Sequence, residues 1–274
     1  MSFFSAILNY QFLQNALIAA FFASILCGIS GTFVYVNRIT FIAGGIAHAV
    51  LGGVGAAVYF NYPPFGGAVV AALIFALLLG IIKFKASQHE DTVIGALWAL
   101  GMSAGIIFIY LTPGYSVNLL SYLFGNILLV SKHDIKTLVA VTLLVVLTVG
   151  MLYRQFKSVS FDFEFSTLRG IKSFFVYTAM LIVIAMTVVV LMKVVGLVLV
   201  IAFLSLPVAT AAIFTKKMGG TIVLSALLGF VFSFSGLYAS YGFNLPTGAT
   251  ITAVAGFIYL ILLILRRFYA KFLK

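Results

Sequence analysis

Long apolar runs follow one another from end to end of this 274-residue chain, at about 13–36, 43–60, 65–82, 93–111, 135–153, 174–192, 195–214, 220–240 and 248–265. A helix needs ~20 residues to cross ~30 Å of hydrocarbon, and most of these runs are that long. Only 8% of residues are charged, where a soluble domain carries about a quarter, and the mean hydropathy is +1.26. Alternating segments of ~10 residues, the mark of a membrane β-barrel, are absent. The expected fold is therefore all-α. It is a polytopic helical membrane protein with about nine (eight to nine) transmembrane helices, residues 1–274 forming a single transmembrane domain whose surroundings are the lipid bilayer.

The charges orient it. A formal net charge of +11 on a soluble chain would suggest nucleic acid. Here the basic residues stand in short loops between apolar runs, so they are topology signals and no nucleic-acid partner is expected. The run at 43–60 is short, but Arg38 precedes it and Lys83 and Lys85 follow the next. If both clusters are cytoplasmic, two crossings lie between them, and 43–60 must span. Alternation then leaves only Lys132, Lys136 and Lys193 of the 16 basic residues outside. That asymmetry predicts an outer N-terminus and a cytoplasmic C-terminus. The single cysteine, Cys27, lies in the middle of the first run and excludes an intrachain disulfide or a CxxC site. It reads as a small core residue. Leu26 before it, and the lack of a basic residue ahead of the run, argue against a cleaved leader.

Within this apolar background the stretch 39–53, ITFIAGGIAHAVLGG, carries one titratable side chain, His48. It stands ten residues beyond Arg38, roughly 15 Å into the membrane at ~1.5 Å per residue. An ionisable group at that depth is costly and points to function, and neutral imidazole is a common ligand of borderline metals such as Zn²⁺. The competing reading is a histidine hydrogen-bonded to a neighbouring carbonyl and serving only to hold helices together. Gly44, Gly45, Gly52, Gly53 and Gly55 would let helices, or a cargo, approach closely.

Three further places carry polar chemistry. His89, Glu90 and Asp91 begin the fourth run, and His133 and Asp134 the fifth. First-turn acidic residues are explained by capping and the helix dipole. Residues 116–134 are expected to form a short amphipathic helix at the outer surface. Residues 158–172, SVSFDFEFSTLRGIK, are too apolar for a solvated linker. They are expected to form a short amphipathic helix that lies on the membrane or docks into a partner's groove. Pro207, in Phe203-Leu-Ser-Leu-Pro-Val208, is expected to kink or locally unwind the seventh run and free a carbonyl near Ser205. No Gly-rich phosphate loop, carboxylate pair or nucleophile triad is present, so the chain is not expected to be an enzyme or to hydrolyse ATP itself.

These stretches together resemble the membrane permease subunit of ATP-binding-cassette importers for zinc, manganese and iron. The pieces that carry the resemblance are, in order, 33–53, 90–105 (EDTVIGALWALGMSAG), 121–135, 161–172, 192–211 (MKVVGLVLVIAFLSLPVATA) and 244–256. The resemblance implies a type II ABC-importer-like permease in the cytoplasmic (inner) membrane of a prokaryote. It further implies a homodimer around a central pathway, a cytoplasmic ABC ATPase dimer and an extracytoplasmic metal-binding protein. No cofactor is held permanently; the metal is cargo, zinc first, with manganese or iron as alternatives. His48 matches the family's intramembrane histidine. Gly44, Gly45, Ser205 and Pro207 would line the pathway. Phe161, Asp162, Glu164, Phe165, Arg169 and Gly170 match the helix that couples to the ATPase. Many members of the family have an aspartate where this chain has Gly44, one turn before the histidine. Its absence leaves the second metal ligand open and shifts the preference from Mn²⁺ toward Zn²⁺. A transporter working without an ATPase would need acidic groups inside the membrane, whereas all five acidic residues here fall in loops or at helix ends. A permease for a metal chelate is the remaining alternative.

Overall fold

A computed structural model describes residues 3–85, 90–113 and 127–272. All regular structure among them is helical. The helices are α1 (Phe3–Asn9), α2 (Gln11–Val36), α3 (Thr40–Tyr59), α4 (Pro64–Lys85), α5 (Glu90–Leu111), α6 (Lys132–Phe161), α7 (Phe163–Leu168), α8 (Ser173–Val195), α9 (Leu197–Phe214), α10 (Met218–Phe243) and α11 (Thr247–Phe272), with a single 3₁₀ turn, Ile127–Leu129, before α6. Among the described residues eight helices are long and apolar enough to cross a membrane, and Leu199–Phe214 is a shorter apolar one. Each of the nine apolar runs falls on one of these helices, the run at 195–214 on the shorter one. All of these helices but α9 extend beyond the hydrophobic core of the run, because their ends are polar but still helical. The largest extension is in α6, where Arg154–Phe161, expected as loop, continues the helix.

The short gap between the runs at 174–192 and 195–214 is not where the chain reverses. α8 continues through Val195, and the reversal into α9 is made by Gly196 alone. Its backbone, at φ 87° and ψ 159°, lies where only glycine is comfortable. The expected unwinding at Pro207 is a second correction, since α9 is helical through it. The proline removes one amide donor, leaving the Phe203 carbonyl without its i+4 partner. The rest of α9 is held by packing on α2, α8, α10 and α11. α1 was not expected. It is anchored by Phe3, whose ring packs edge-on against Phe234 and Tyr238 of α10. Residues 114–126, most of the expected outer amphipathic helix, lie outside the described residues, as does His89.

Two groups of helices make the bundle. In one, α2 packs on α10 and α9, with α11 behind them. Small residues set the spacing. A Cβ on Gly28 would meet the Ile222 carbonyl at 2.8 Å, and one on Gly31 the Leu204 carbonyl at 2.4 Å. Buried polar groups join the helices as well, with Ser30 and Thr187 oxygens 2.7 Å apart between α2 and α8. In the other group α3 packs between α5 and α4. The two groups meet across α8, which is buried along most of its length. Outward faces remain apolar: Leu143, Leu144, Leu147 and Met151 on α6, and Phe257, Leu260, Ile261 and Ile264 on α11, are exposed. Such faces suit lipid, whose chains are as apolar as leucine. Cys27 is fully buried in the core, as expected.

α3 is built of residues so small that its backbone touches its neighbours. A Cβ on Gly53 would lie 2.2 Å from the Gly67 carbonyl of α4, and one on Gly55 2.4 Å from the Gly105 carbonyl of α5. Neither contact can yield without moving a helix. Gly53→Val is therefore expected to cost more than the ~1–3 kcal/mol usual for overpacking. It should appear as a lowered melting temperature of the detergent-solubilised protein and reduced membrane abundance. Gly150→Ala, where an added Cβ meets nothing within 4 Å, should leave both unchanged.

Candidate functional site

His48 lies in the middle of α3, on the turn between Gly44 and Gly52, and is half-buried. The packing alternative requires a hydrogen bond to the imidazole. None is formed. Nδ1 is buried with no partner, whereas Nε2 is not buried in this way. An unmet buried nitrogen costs about 1–3 kcal/mol, so a purely structural residue here would be a poor choice. The imidazole instead stacks on Trp98 of α5, ring centroids 4.3 Å apart and planes 18° from parallel. Trp98 donates its indole N–H to Met102 Sδ at 3.0 Å.

The other expected pathway residues divide. A Cβ on Gly44 would meet only the Ile201 side chain of α9, at 3.3 Å. Ser205 lies one turn beyond Ile201 on the same helix face, its hydroxyl donating back to the Ile201 carbonyl at 2.7 Å. Gly45 faces α5, where a Cβ would meet Ile94 at 2.9 Å. Pro207 points the other way, into a small void with Phe203, Gly229, Phe232 and Thr252. Gly44 thus faces α9 next to the turn that carries Ser205, whereas His48 faces Trp98 of α5 and Pro207 lies apart. Among the described residues no group of three or more His, Cys, Asp or Glu converges.

Within residues 158–172, residues 158–161 belong to the end of α6 and the expected short helix is α7, Phe163–Leu168. Asp162 caps it, accepting the Phe165 N–H at 2.8 Å. Gly170 ends it at φ 82°, with the Ile171 N–H returning to the Ser166 carbonyl and the Gly170 N–H to Thr167. This paired closure requires a residue in the positive-φ region, which glycine adopts without strain. Ser166 bonds Ser158 of α6 at 2.7 Å, and Thr167 donates to Ser173 of α8 at 2.8 Å. Phe163 packs inward on Phe84 of α4, centroids 4.7 Å apart. The opposite face is open, with Phe161 65%, Phe165 47% and Leu168 86% exposed, Glu164 beside them, and Arg169 over the Phe165 ring at 4.6 Å. α7 is thus a tethered helix with an apolar outer face.

Sequence reasoning missed two connections. Asn37, in the turn between α2 and α3, donates to the Phe33 carbonyl at 2.8 Å and to Ser160 of α6 at 3.0 Å. It ties the start of the His48 helix to the base of α7. Asp134 does cap α6 as expected, in a reciprocal box with Ser131, but it also pairs with Lys193 at the end of α8. That pair borders a cavity of about 620 Å³ lined by Val54, Phe65, His133, Thr137 and Lys193, at the helix ends opposite α7 and away from His48. Both connections join residues more than fifty positions apart, which no local pattern signals.

The sequence matches the ABC 3 transport family over residues 9–266. It is 42% identical over 260 residues to an uncharacterized membrane protein of Synechocystis sp., covering 95% of this chain and 92% of that one. It is 32% identical to the manganese transport system membrane protein MntC of Halalkalibacterium halodurans, covering 94% and 88%. The fold superposes on a chain of PsaBC from Streptococcus pneumoniae, solved in complex with Fab, with a TM-score of 0.85 at 31% identity, covering 95% and 94%. The chain belongs to the ABC 3 transport family: it is a multi-pass membrane permease subunit of the metal-importing ATP-binding-cassette class.

Proposed function

We propose that two copies of this chain form the permease of an importer for a divalent transition metal, and that the ion passes His48. The single observation that carries this reading is the imidazole on α3, buried on one side, with no hydrogen bond to explain its presence. In the proposed transporter the end bearing Arg38, Lys83, Arg154 and Lys216 faces the cytoplasm, following the basic-residue bias, and the C-terminus lies on that side. An ATPase dimer covers the exposed face of α7 there. An extracytoplasmic protein delivers the metal at the opposite end. A cargo ion needs incomplete, exchangeable coordination, and one imidazole per subunit supplies that. ATP binding would move α7, and α6 with it, through the Ser158–Ser166 bond. Asn37 and Ser160 would pass the movement to the start of α3.

Zinc is the cargo that the donor set favours. Nitrogen without a neighbouring carboxylate suits Zn²⁺ better than the harder Mn²⁺. Manganese is the second reading, favoured by the relative from Halalkalibacterium halodurans that is named as a manganese transport protein.

His48→Ala is expected to assemble with its ATPase at normal abundance and to lose metal uptake in cells. Unimpaired uptake of radiolabelled metal would remove His48 from the pathway. Reversing charge at Asp162 and Glu164 together is expected to abolish copurification of the ATPase and metal-stimulated ATP hydrolysis. If both persist, α7 is not the docking helix. Gly44→Asp should fold, because an added Cβ meets only the flexible end of Ile201. The new carboxylate, one turn from His48, should raise manganese uptake relative to zinc in a competition assay.

A further inference from the structure

We propose that Trp98 is the positioning residue of the metal step, holding the His48 imidazole flat so that Nε2 is presented to the passing cation. This rests on the reading of His48 given above. A histidine ring turns easily about χ2, whose energy wells are broad. In most metal sites the second ring nitrogen is fixed by a carboxylate or carbonyl. His48 has no such anchor, since its Nδ1 meets no hydrogen-bond partner. What restrains the ring is the indole 4.3 Å away and 18° from parallel. The stack takes the place of the missing polar partner and shields Nδ1.

The indole is itself restrained. Its N–H donates to Met102 Sδ, one helical turn along, at 3.0 Å, and the Phe41 ring leans on it at 5.8 Å. The two helices that bear the rings are also locked in register. A Cβ on Gly52 would meet the Gly101 carbonyl at 2.8 Å, and one on Gly45 the Ile94 side chain at 2.9 Å. Neither helix can slide without breaking these contacts, so the stack keeps its alignment as the transporter works. A cation on Nε2 withdraws electron density from the imidazole, and the negative face of the indole favours that more electron-poor ring. The indole therefore does more than fill space: an aliphatic side chain of similar bulk would neither set the ring plane nor respond to its charge.

Trp98 is the only tryptophan of the chain, so its emission reports on this stack alone. The full-length permease in lipid nanodiscs, titrated with ZnCl₂ and separately with MnCl₂, should show a saturable change in tryptophan emission with at least one metal. His48→Ala should show none. In cells carrying the complete transporter, Trp98→Phe should retain uptake. Trp98→Leu should raise the KM for metal about tenfold, the loss usual when an orienting partner is removed, at a Vmax within about twofold of wild type, with membrane abundance and ATPase copurification as controls. Unchanged emission with both metals, the same response in His48→Ala, or equal kinetics for Trp98→Leu and Trp98→Phe would each overturn the proposal. Normal uptake by His48→Ala would instead overturn the pathway reading on which it rests.

Discussion

The structure depends on the backbone-to-backbone contact of α3 with α4 and α5. Inside a membrane no hydrophobic force draws helices together, and van der Waals contact between closely approaching backbones takes its place. Gly53 faces the Gly67 carbonyl, Gly52 that of Gly101, and Gly55 that of Gly105. Each approach is closer than any side chain permits. The same contacts that hold α3 fix where His48 stands and which residue of α5 lies opposite it. The glycines considered as a route for cargo are therefore mainly the reason that the histidine has a defined place at all. Gly44 differs from the others: only the end of the Ile201 side chain opposes it, so its lack of a side chain leaves space rather than sealing a contact.

The second device is the tethering of α7. Its capping by Asp162, its glycine closure at Gly170 and its bonds to α6 and α8 make it stiff although it is six residues long. A helix of that length has no stability of its own in water. It persists because both ends are hydrogen-bonded and Phe163 is wedged against Phe84. Its apolar outer face therefore stays exposed instead of collapsing onto the bundle. Asn37 links this part of the molecule to the turn preceding α3. In that turn Arg38 adopts a left-handed conformation, φ 56°, that is uncommon outside glycine and asparagine.

Much of the fold was legible because the physics of each crossing helix is local. A run of twenty apolar residues has few alternatives to a helix in lipid, and the nine runs found their helices. The departures occurred where apolarity was the wrong guide. α6 outlasts its apolar run through Arg154 because a helix continues into water once its neighbours support it. The α8–α9 reversal takes one residue instead of several because Gly196 reaches a conformation that hydropathy does not register. Pro207 leaves α9 intact because one missing donor does not outweigh the packing around it. In the candidate site, His48 and α7 stood out as chemistry in an apolar background. Trp98 did not, since an aromatic residue in an apolar helix is unremarkable until its neighbour is known.

The sequence by itself determined the class of the molecule, the places of its apolar helices, the family to which it belongs and the one imidazole in the middle of an apolar run. These follow from composition, run length and ordered motifs, all of which are read along the chain. Only the tertiary structure decided that the imidazole lies against Trp98 with Nδ1 unpartnered, that Gly44 faces Ile201 of α9, and that Asn37 reaches Ser160. Those facts depend on how helices distant in sequence are rotated and set against one another. That rotation is fixed by many small contacts acting together, which no single stretch of sequence displays.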